Sequence, residues 1–405
     1  MRDYSRVQLY ADSLAGITVG MVAIPLSIAI AIASGADPAK ALITAIVGGF
    51  LISLIGGATG AFIVVVYGVI VAHGYDGLVL ATFMAGLILL AAGFPRAGNL
   101  VTYVPEPVID GFAFGISVII ATSQIKDLAG LTTGDLPADF GAKIAALWAA
   151  RATVSGASLA IGAGTVAAIV ALRRLVPRFP GQILAVAAAS AAVAMLGLHV
   201  DTIRSRFGAL PHGLPVPALP EISYGRIKEL LPSAFIIAFL AGVESLLSAM
   251  VADRMIAGRH RSNAEVLAQG AANLGSSLFG GMPAIGAIAR TATNVRAGGR
   301  TPVAGLVHAV TILVVVMVAA PLAGCMALPV LAGLLILTAW AMSEPHKWRG
   351  YLGLRRADQF LLVLTPVLTV VADLTVAIGT GVAIGLAIRL RRRHVPPAEW
   401  QPPER

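Results

Sequence analysis

The chain has 405 residues, of which 58% are hydrophobic and only 12% are charged, and its mean hydropathy is +0.87. Soluble domains contain about a quarter charged residues, so this composition excludes a soluble protein and predicts the lipid bilayer as a partner. The net charge of +9 does not indicate nucleic-acid binding, because the basic residues are spread over loops between apolar segments. That distribution is the positive-inside pattern of membrane proteins.

Apolar segments of transmembrane length recur along the whole chain. Runs of about 20 apolar residues match a hydrocarbon core of ~30 Å, and here they are apolar on all sides, whereas barrel strands alternate. We predict an all-α polytopic membrane protein with 14 transmembrane segments. Two of them, 59–72 and 284–295, are short and interrupted by glycine or polar residues. The twelve continuous segments are 14–34, 41–55, 77–94, 105–124, 154–172, 181–198, 232–252, 264–279, 303–321, 326–342, 360–372 and 375–390.

The charges of the loops predict the orientation. With the N-terminus in the cytoplasm, every strong basic cluster falls on the inner side of the membrane. We therefore expect a cytoplasmic (inner) membrane location with both termini cytoplasmic. The inner basic residues include Arg96, Arg173, Arg174, Arg178, Arg254, Arg259, Arg261, Arg296, Arg300, Lys347, Arg349, Arg355 and Arg356.

An internal repeat relates the two halves of the chain. Residues 53–61, SLIGGATGA, are similar to residues 277–287, SLFGGMPAIGA, and each run leads into the third segment of a group of seven. Because seven is odd, the two halves cross the membrane in opposite directions, which predicts an inverted repeat with a binding site where the broken helices meet. The alternative is coincidence, since Gly-Gly pairs are common in a chain with 44 glycines.

A helix that begins in mid-membrane directs unpaired N–H groups and a positive dipole end at whatever lies in front of it. Two such ends form an anion site without any charged side chain. Arg290, one turn into segment 284–295, would add positive field. The alternative is a structural role in which Arg290 snorkels or pairs with Glu244. The predicted substrate-binding residues are Thr59, Gly60, Ala61, Gly286, Ala287, Ile288 and Arg290.

Glu244 is the predicted proton-coupling residue. It lies deep in segment 232–252, and an ionisable residue at that depth is expected to be functional. The alternative is a permanent ion pair with Arg290. Ser245 and Ser248 either line the same site or pack helices together.

Cofactor and enzyme chemistry have no support in the sequence. His73 and His308 have no second His, Cys or carboxylate at the spacing of metal ligands. We find no nucleotide-binding loop and no nucleophile–base motif. We therefore predict no cofactor, no metal and no enzymatic activity.

Several motifs resemble those of the sulfate permease (SulP) anion transporters, also called solute carrier family 26. The similarity covers nearly the whole chain, and its most specific part is 280–302, GGMPAIGAIARTATNVRAGGRTP. Further similar stretches are 14–20 with Ile24-Pro25, 59–62, 105–111, 123–127, 205–208 and 213–215.

The resemblance implies two inverted repeats of seven segments, with an anion bound between the third and tenth segments and an elevator-like movement. It implies a core domain at 8–98 and 232–322, a gate domain at 99–231 and 323–390, and a cytoplasmic tail at 391–405. Thr59 and Ala287 match backbone anion-binding positions. Glu244 matches the acidic position of the eighth segment, and Arg290 matches the basic position of the tenth.

Three departures from the family pattern shape the expectation. Glu244 and Ile288 stand where sodium-coupled bicarbonate members have Asp and Thr, and Ile288 offers no oxygen to a hard cation, which favours protons over sodium. Gly57 and Ala58 run directly into Thr59, so the third segment is shortened. The soluble STAS domain of most members is expected to be absent.

We therefore expect a secondary active transporter of a small anion (dicarboxylate, sulfate, bicarbonate or chloride) that works by proton-coupled symport or by exchange. The alternatives are a sodium-coupled bicarbonate symporter, a nucleobase permease of the same architecture and an anion channel. The sequence does not name the anion, and it leaves a homodimer open.

Overall fold

The computed structural model describes residues 4–55, 64–93, 105–134, 136–137, 139–175, 181–256, 260–286, 288–372 and 374–391. This part of the chain is mostly helical, and a 3₁₀ turn follows α5. The helices are α1 (Arg6–Ala33), α2 (Pro38–Ile55), α3 (Val64–Gly93), α4 (Glu106–Ala129), α5 (Phe140–Ala149), α6 (Gly156–Leu175), α7 (Gly181–Met195), α8 (Ile203–Phe207), α9 (Tyr224–Ile256), α10 (Ser262–Leu278), α11 (Ile288–Arg296), α12 (Pro302–Gly324), α13 (Leu328–Met342), α14 (Trp348–Tyr351), α15 (Arg356–Val371) and α16 (Leu374–Arg391).

Within the described ranges, seven helices are long and apolar enough to cross a membrane. Two shorter apolar helices are α7 and α13. Each predicted segment overlaps one of the helices or one part of the broken helix α3. The seven candidate spans are Arg6–Ala33, Pro38–Ile55, Val66–Gly93, Glu106–Ala129, Gly156–Leu175, Tyr224–Met250 and Pro302–Gly324.

Helix α3 is interrupted at Gly74. That residue has φ 71° and ψ 176°, a backbone conformation that only glycine adopts readily. The break separates a short first part, 64–73, from a longer second part, 75–93. These two parts correspond to the predicted segments 59–72 and 77–94.

Several predicted boundaries and surroundings differ from the structure. Helix α9 begins at Tyr224 rather than at 232, because its charged first turns were assigned to a loop. The predicted outer loop contains helix α5, which is capped by the side chain of Asp139. Asp127, just after the predicted segment 105–124, is 9% exposed and pairs with Arg206 at 2.6 Å.

The helices pack into two groups. The first bundle is α1, α2, α3, α9, α10, α11 and α12, in which α10 packs on α3 and α2, and α12 packs on α1 and α2. The second bundle is α4, α6, α7, α13, α15 and α16, in which α4 packs on α13 and α15. Helix α1 is the principal link, since it contacts α13, α7 and α4 of the second bundle.

Glycines allow close helix approach in both bundles, as is common in membrane proteins. A Cβ on Gly270 of α10 would lie 2.9 Å from the Leu90 backbone nitrogen of α3. A Cβ on Gly111 of α4 would lie 2.9 Å from the Leu362 carbonyl oxygen of α15. Side chains at these positions would force the helices apart, so the glycines set the spacing of both bundles.

The buried carboxylate of Asp12 fastens the start of α1 to the segment before α12. It accepts hydrogen bonds from the Thr301 hydroxyl at 2.6 Å, from the Arg300 backbone N–H at 2.7 Å and from the Tyr4 hydroxyl at 2.8 Å. Several donors on one carboxylate make charge-assisted bonds, which are the stronger class. This contact connects the first and the last helices of the first bundle.

One polar contact joins the first bundle to the segment around α5. The Tyr67 hydroxyl of α3 donates to the Leu136 carbonyl oxygen at 2.6 Å. The ammonium group of Lys143 on α5 lies 5.2 Å from the centre of the Tyr67 ring, within the range of a cation–π interaction.

Candidate functional site

The predicted site residues fall into two sets. Thr59, Gly60, Ala61 and Ala287 lie outside the described residues, so their predicted roles stay predictions. Gly286, Ile288, Arg290 and Glu244 are described. Ile288 is the first residue of α11, and Gly286 ends the extended segment that precedes it.

The segment before α11 is held in an extended conformation by side chains of α10. The Asn273 side chain accepts a hydrogen bond from the Ala284 N–H at 3.0 Å and donates to the Ala284 carbonyl oxygen at 2.9 Å. The Gln269 side chain also donates to that carbonyl oxygen. Both polar groups of the Ala284 backbone are therefore satisfied without a helix, which is what a broken helix inside a bilayer requires.

A second pair of side chains holds Met282, two residues earlier. Its N–H donates to the Thr44 hydroxyl of α2 at 2.6 Å, and its carbonyl oxygen accepts from Ser276 of α10 at 2.6 Å. Ser276 and Thr44 are themselves 3.1 Å apart. The extended segment is thus fixed between α2 and α10.

Helix α9 meets the end of this segment backbone to backbone. A Cβ on Gly286 would lie 2.5 Å from the Cα of Ser245, so only glycine fits. The Ser245 hydroxyl donates to Glu265 of α10 at 2.6 Å. Ser248 lies 2.6 Å from the Thr291 hydroxyl of α11. Both serines, for which lining and packing roles were open, connect α9 to its neighbouring helices.

Arg290 and Glu244 do not pair. Both are described, and no ion pair between them within 4.0 Å exists. The Arg290 side chain is 5% exposed and donates to the Ser27 hydroxyl of α1 at 2.8 Å. Glu244 is partly buried, and its carboxylate has no hydrogen-bond partner among the described residues. The alternative of a permanent Glu244–Arg290 pair is therefore wrong.

The sequence interpretation missed the residues that hold the site. Glu265, Gln269, Asn273 and Ser276 are all buried and lie on one face of α10. Their spacing of three or four residues in a predicted membrane segment was the available signal, because polar residues there bond between helices. Thr44 gave no such signal, since its partner Met282 is 238 positions away in the sequence.

The site combines three features that suit an anion. The first turn of α11 has N–H groups without helical acceptors, the helix dipole is positive at that end, and Arg290 in the same turn carries a buried guanidinium. The carboxylate of Glu244 lies on α9, the helix that contacts the end of the segment before α11. The fold is that of a multi-pass membrane protein with a broken membrane helix, a feature that is common in secondary transporters.

Comparisons with known proteins agree with this class. The family model described as "Sulfate permease family" matches residues 9–365. The chain is 39% identical to "Putative sulfate transporter YvdB" of Bacillus subtilis, over 96% of this chain and 75% of the relative. It is 31% identical to "Bicarbonate transporter BicA" of Synechocystis, over 95% of this chain and 70% of the relative.

A solved structure extends the similarity to the fold. The transmembrane domain of a cyanobacterium bicarbonate transporter BicA superposes with a TM-score of 0.82 at 29% identity, covering 93% of this chain and 99% of that domain. The chain belongs to the sulfate permease family. Its relatives are transporters rather than enzymes, which confirms the prediction that the chain is not an enzyme.

Proposed function

We propose that the chain is a secondary active transporter of a small oxyanion, with sulfate and bicarbonate as the first candidates, and that it couples transport to protons. The observation that carries the proposal is the start of α11, where fixed extended backbone leads into a helix N-terminus beside Arg290. Membership of the sulfate permease family and the names of its relatives support an anion as substrate. The Thr59–Ala61 stretch would supply the facing half of the site.

The proposal includes 14 segments in two inverted repeats of seven. Exchanging the halves pairs α1 with α9, α2 with α10, and the second part of α3 with α12. The helix packing supports this exchange: α1 packs on α12 as α9 packs on α3, and α2 packs on α12 as α10 packs on α3. In the second bundle, α6 packs on α7 as α15 packs on α16.

We assign the first bundle to a moving core (8–98 and 232–322) and the second bundle to a gate (99–231 and 323–390). The extensive packing within each bundle and the few links between them support an elevator-like movement. Helix α1 contacts the second bundle more extensively than its repeat partner α9 does. If α9 instead of α1 made the extensive contacts with the second bundle, the site would open to the other side of the membrane. Both termini are placed in the cytoplasm on the charges of the loops.

Glu244 is the proposed proton carrier. Its carboxylate has no partner among the described residues, and it lies on the helix that contacts the end of the segment before α11, so its charge would act on an anion bound there. Ile288 offers no oxygen to sodium at the position where sodium-coupled members have Thr.

Uptake into proteoliposomes tests the coupling. We would measure labelled sulfate and bicarbonate with and without a pH gradient, and with and without sodium. In the Glu244→Gln variant, the pH gradient should no longer stimulate anion uptake, whereas anion exchange should be retained. Glu229→Gln is the control on the same helix, because the Glu229 side chain is 62% exposed and pairs with His73 at 3.0 Å rather than facing the segment before α11. Uptake that requires sodium and ignores pH would support the sodium–bicarbonate alternative. Competition by uracil alone would support a nucleobase permease.

Anion affinity tests the site itself. Arg290→Ala should weaken anion binding by about tenfold, the loss expected for one charged hydrogen bond. Arg296→Ala is the control, since Arg296 ends the same helix and is exposed. Unchanged affinity in Arg290→Ala would reduce Arg290 to a structural role.

A further inference from the structure

An apolar groove runs along the surface of the second bundle. Its volume is about 780 Å³, which lies within the ~300–1,000 Å³ of typical ligand pockets. Its long wall is one face of α6 from Ala163 to Leu175, and Leu128 of α4 and Ile336 of α13 also line it. Eight of its nine lining residues are apolar, and Arg174 is the exception.

The groove begins where three helices touch. A Cβ on Gly162 of α6 would lie 2.5 Å from the side chain of Leu128 and 3.1 Å from the Pro329 carbonyl oxygen of α13. From Ala163, next to this contact, the groove follows α6 to Arg174, which is about 16 Å at ~1.5 Å per residue. One half of a hydrocarbon core of ~30 Å is about 15 Å deep. The groove therefore matches the depth of one lipid leaflet.

Positive charge is concentrated at the far end of the groove. Arg173 and Arg174, in the last turn of α6, are the only charged residues of α6, α7 and α13. Both are exposed, and neither forms a hydrogen bond or an ion pair with another described residue. A guanidinium can bind two phosphate oxygens with parallel N–H bonds. An apolar groove that ends at such a cation complements an acyl chain attached to a phosphate headgroup.

A second copy of the chain fits this face less well than a lipid does. Two copies in one membrane have the same orientation, so a two-fold dimer through α6 would bring the same helix ends together. The arginines at the end of α6 in one copy would then approach the identical arginines of the other, and like charges repel each other. An anionic phospholipid instead brings the opposite charge to this end.

We propose that the groove binds one anionic phospholipid of the surrounding leaflet, with an acyl chain along α6 from Ala163 to Ala171 and the headgroup phosphate on Arg174. The proposal depends on the membrane location of the chain and not on the identity of the transported anion or on its coupling. The bound chain contacts α4, α6 and α13 together, so the lipid stabilises the packing of the second bundle.

Native mass spectrometry of the full chain in detergent measures the bound lipid directly. Anionic phosphatidylglycerol and zwitterionic phosphatidylcholine are added in equal amounts and compete for the protein. We expect the wild type to retain one phosphatidylglycerol with about tenfold preference, the gain expected for one charged hydrogen bond. Arg174→Gln should lose most of this preference. Arg173→Gln is the matched control, because it removes the neighbouring charge but does not change the lining of the groove.

A second pair of variants tests the place of the acyl chain. Ala167→Phe fills the groove at half its length and should reduce the retention of phosphatidylglycerol by about tenfold. Ala188→Phe is the control, since Ala188 is exposed on α7 and does not line the groove. Both alanines are exposed, so the unfolding midpoints in lipid-free detergent should stay close to that of the wild type. Added phosphatidylglycerol should raise the midpoint of the wild type and of Ala188→Phe, but not that of Ala167→Phe.

Equal retention of the two lipids by the wild type, or equal losses in Arg174→Gln and Arg173→Gln, would show only non-specific lipid around the bundle and would overturn the site. A dimer in detergent that Ala167→Phe dissociates would assign this face to a second copy instead. Lipid retention is measured without transport. If Arg290→Ala leaves anion affinity unchanged while phosphatidylglycerol is retained, the proposed anion site fails and the lipid site stands.

Discussion

The two bundles use their buried polar side chains differently. In the first bundle, Thr44, Asn273 and Ser276 bond to the backbone of another segment, and Arg290 bonds to another helix. In the second bundle, Thr365 bonds back to the Leu361 carbonyl oxygen and Thr165 to that of Ile161, while Ser190 bonds to another segment by accepting from the Ala327 N–H at 3.4 Å. Bonds of the first kind fix helices relative to each other, whereas bonds of the second kind only satisfy a hydroxyl group in lipid.

This difference shows that the hydrogen bonds of the first bundle determine the position of its segments more than its stability. Hydrogen bonds between membrane helices average only about 0.6 kcal/mol, so the first bundle gains modest stability from them. What it gains is a fixed position for the start of α11. In the described part of the second bundle, close helix contacts involve glycines such as Gly111, and the ion pairs of Lys347 with Glu106 and Asp110 lie at one end of α4.

The largest effect is expected where two backbones touch. Gly286→Ala places a methyl group 2.5 Å from the Cα of Ser245, and neither backbone can yield. Overpacking of this kind should cost about 3 kcal/mol and abolish anion binding. Thermal unfolding in detergent and an equilibrium binding assay would measure both. Gly164→Ala is the matched control, and equal behaviour of the two variants would show that α9 and the segment before α11 are loosely packed.

The comparison between bundles is sharpened by two nearly isosteric substitutions. Asn273→Leu leaves the Ala284 N–H without an acceptor and should cost about 2 kcal/mol, with loss of transport. Thr365→Val removes a hydroxyl that bonds only to its own helix and should cost less than about 0.5 kcal/mol. Unfolding midpoints of the two variants test this difference. Similar losses of stability in both variants would show that buried polar side chains play the same role in the two bundles.

A smaller effect is expected at the end of the first bundle. Asp12→Ala removes the acceptor shared by Thr301, Arg300 and Tyr4, and should cost about 1.5 kcal/mol. Transport should slow while anion affinity stays within about twofold, because the carboxylate lies far along α1 from Ser27. The measurement is uptake at several sulfate concentrations. A change in affinity as large as that of Arg290→Ala would contradict a purely fastening role.

A small stability effect is expected at the contact between the first bundle and the segment around α5. Tyr67→Phe removes the hydrogen bond to Leu136 and should cost about 0.5–1 kcal/mol. If the first bundle moves against the proposed gate, whose range 99–231 contains α5, this contact breaks in every cycle, so the variant should change the transport rate more than the affinity. Burial lowers the pKa of Lys143, with Asp139 opposing, so alkaline pH should remove the cation–π contact before a solvated lysine would lose its charge. A Tyr67→Phe rate equal to wild type at every pH would exclude a role in movement.

The sequence predicted the large features because they depend on local physics. Hydropathy indicated the helices, and the repeated Ser-Leu-x-Gly-Gly run indicated the broken segments that α11 and the first part of α3 represent. The charged residues at the start of α9 led to a predicted start at 232, although the helix begins at Tyr224. The pair of Asp127 with Arg206, 79 positions away, could not be predicted from the sequence. The hydrogen bonds from Asn273, Ser276 and Thr44 require knowledge of which helices meet, and a single sequence does not contain it.

Gln269 and Asn273 both hold the peptide of Ala284, and Thr44 holds Met282 from another helix. The beginning of α11 therefore cannot swing aside as a local flap without breaking several bonds in surroundings that offer no substitute donors. An anion bound there is expected to cross the membrane only when α2, α10 and α11 move together as a rigid body. Ligands or mutations that make a single loop rigid should therefore reduce the transport rate less than those that insert between the two bundles.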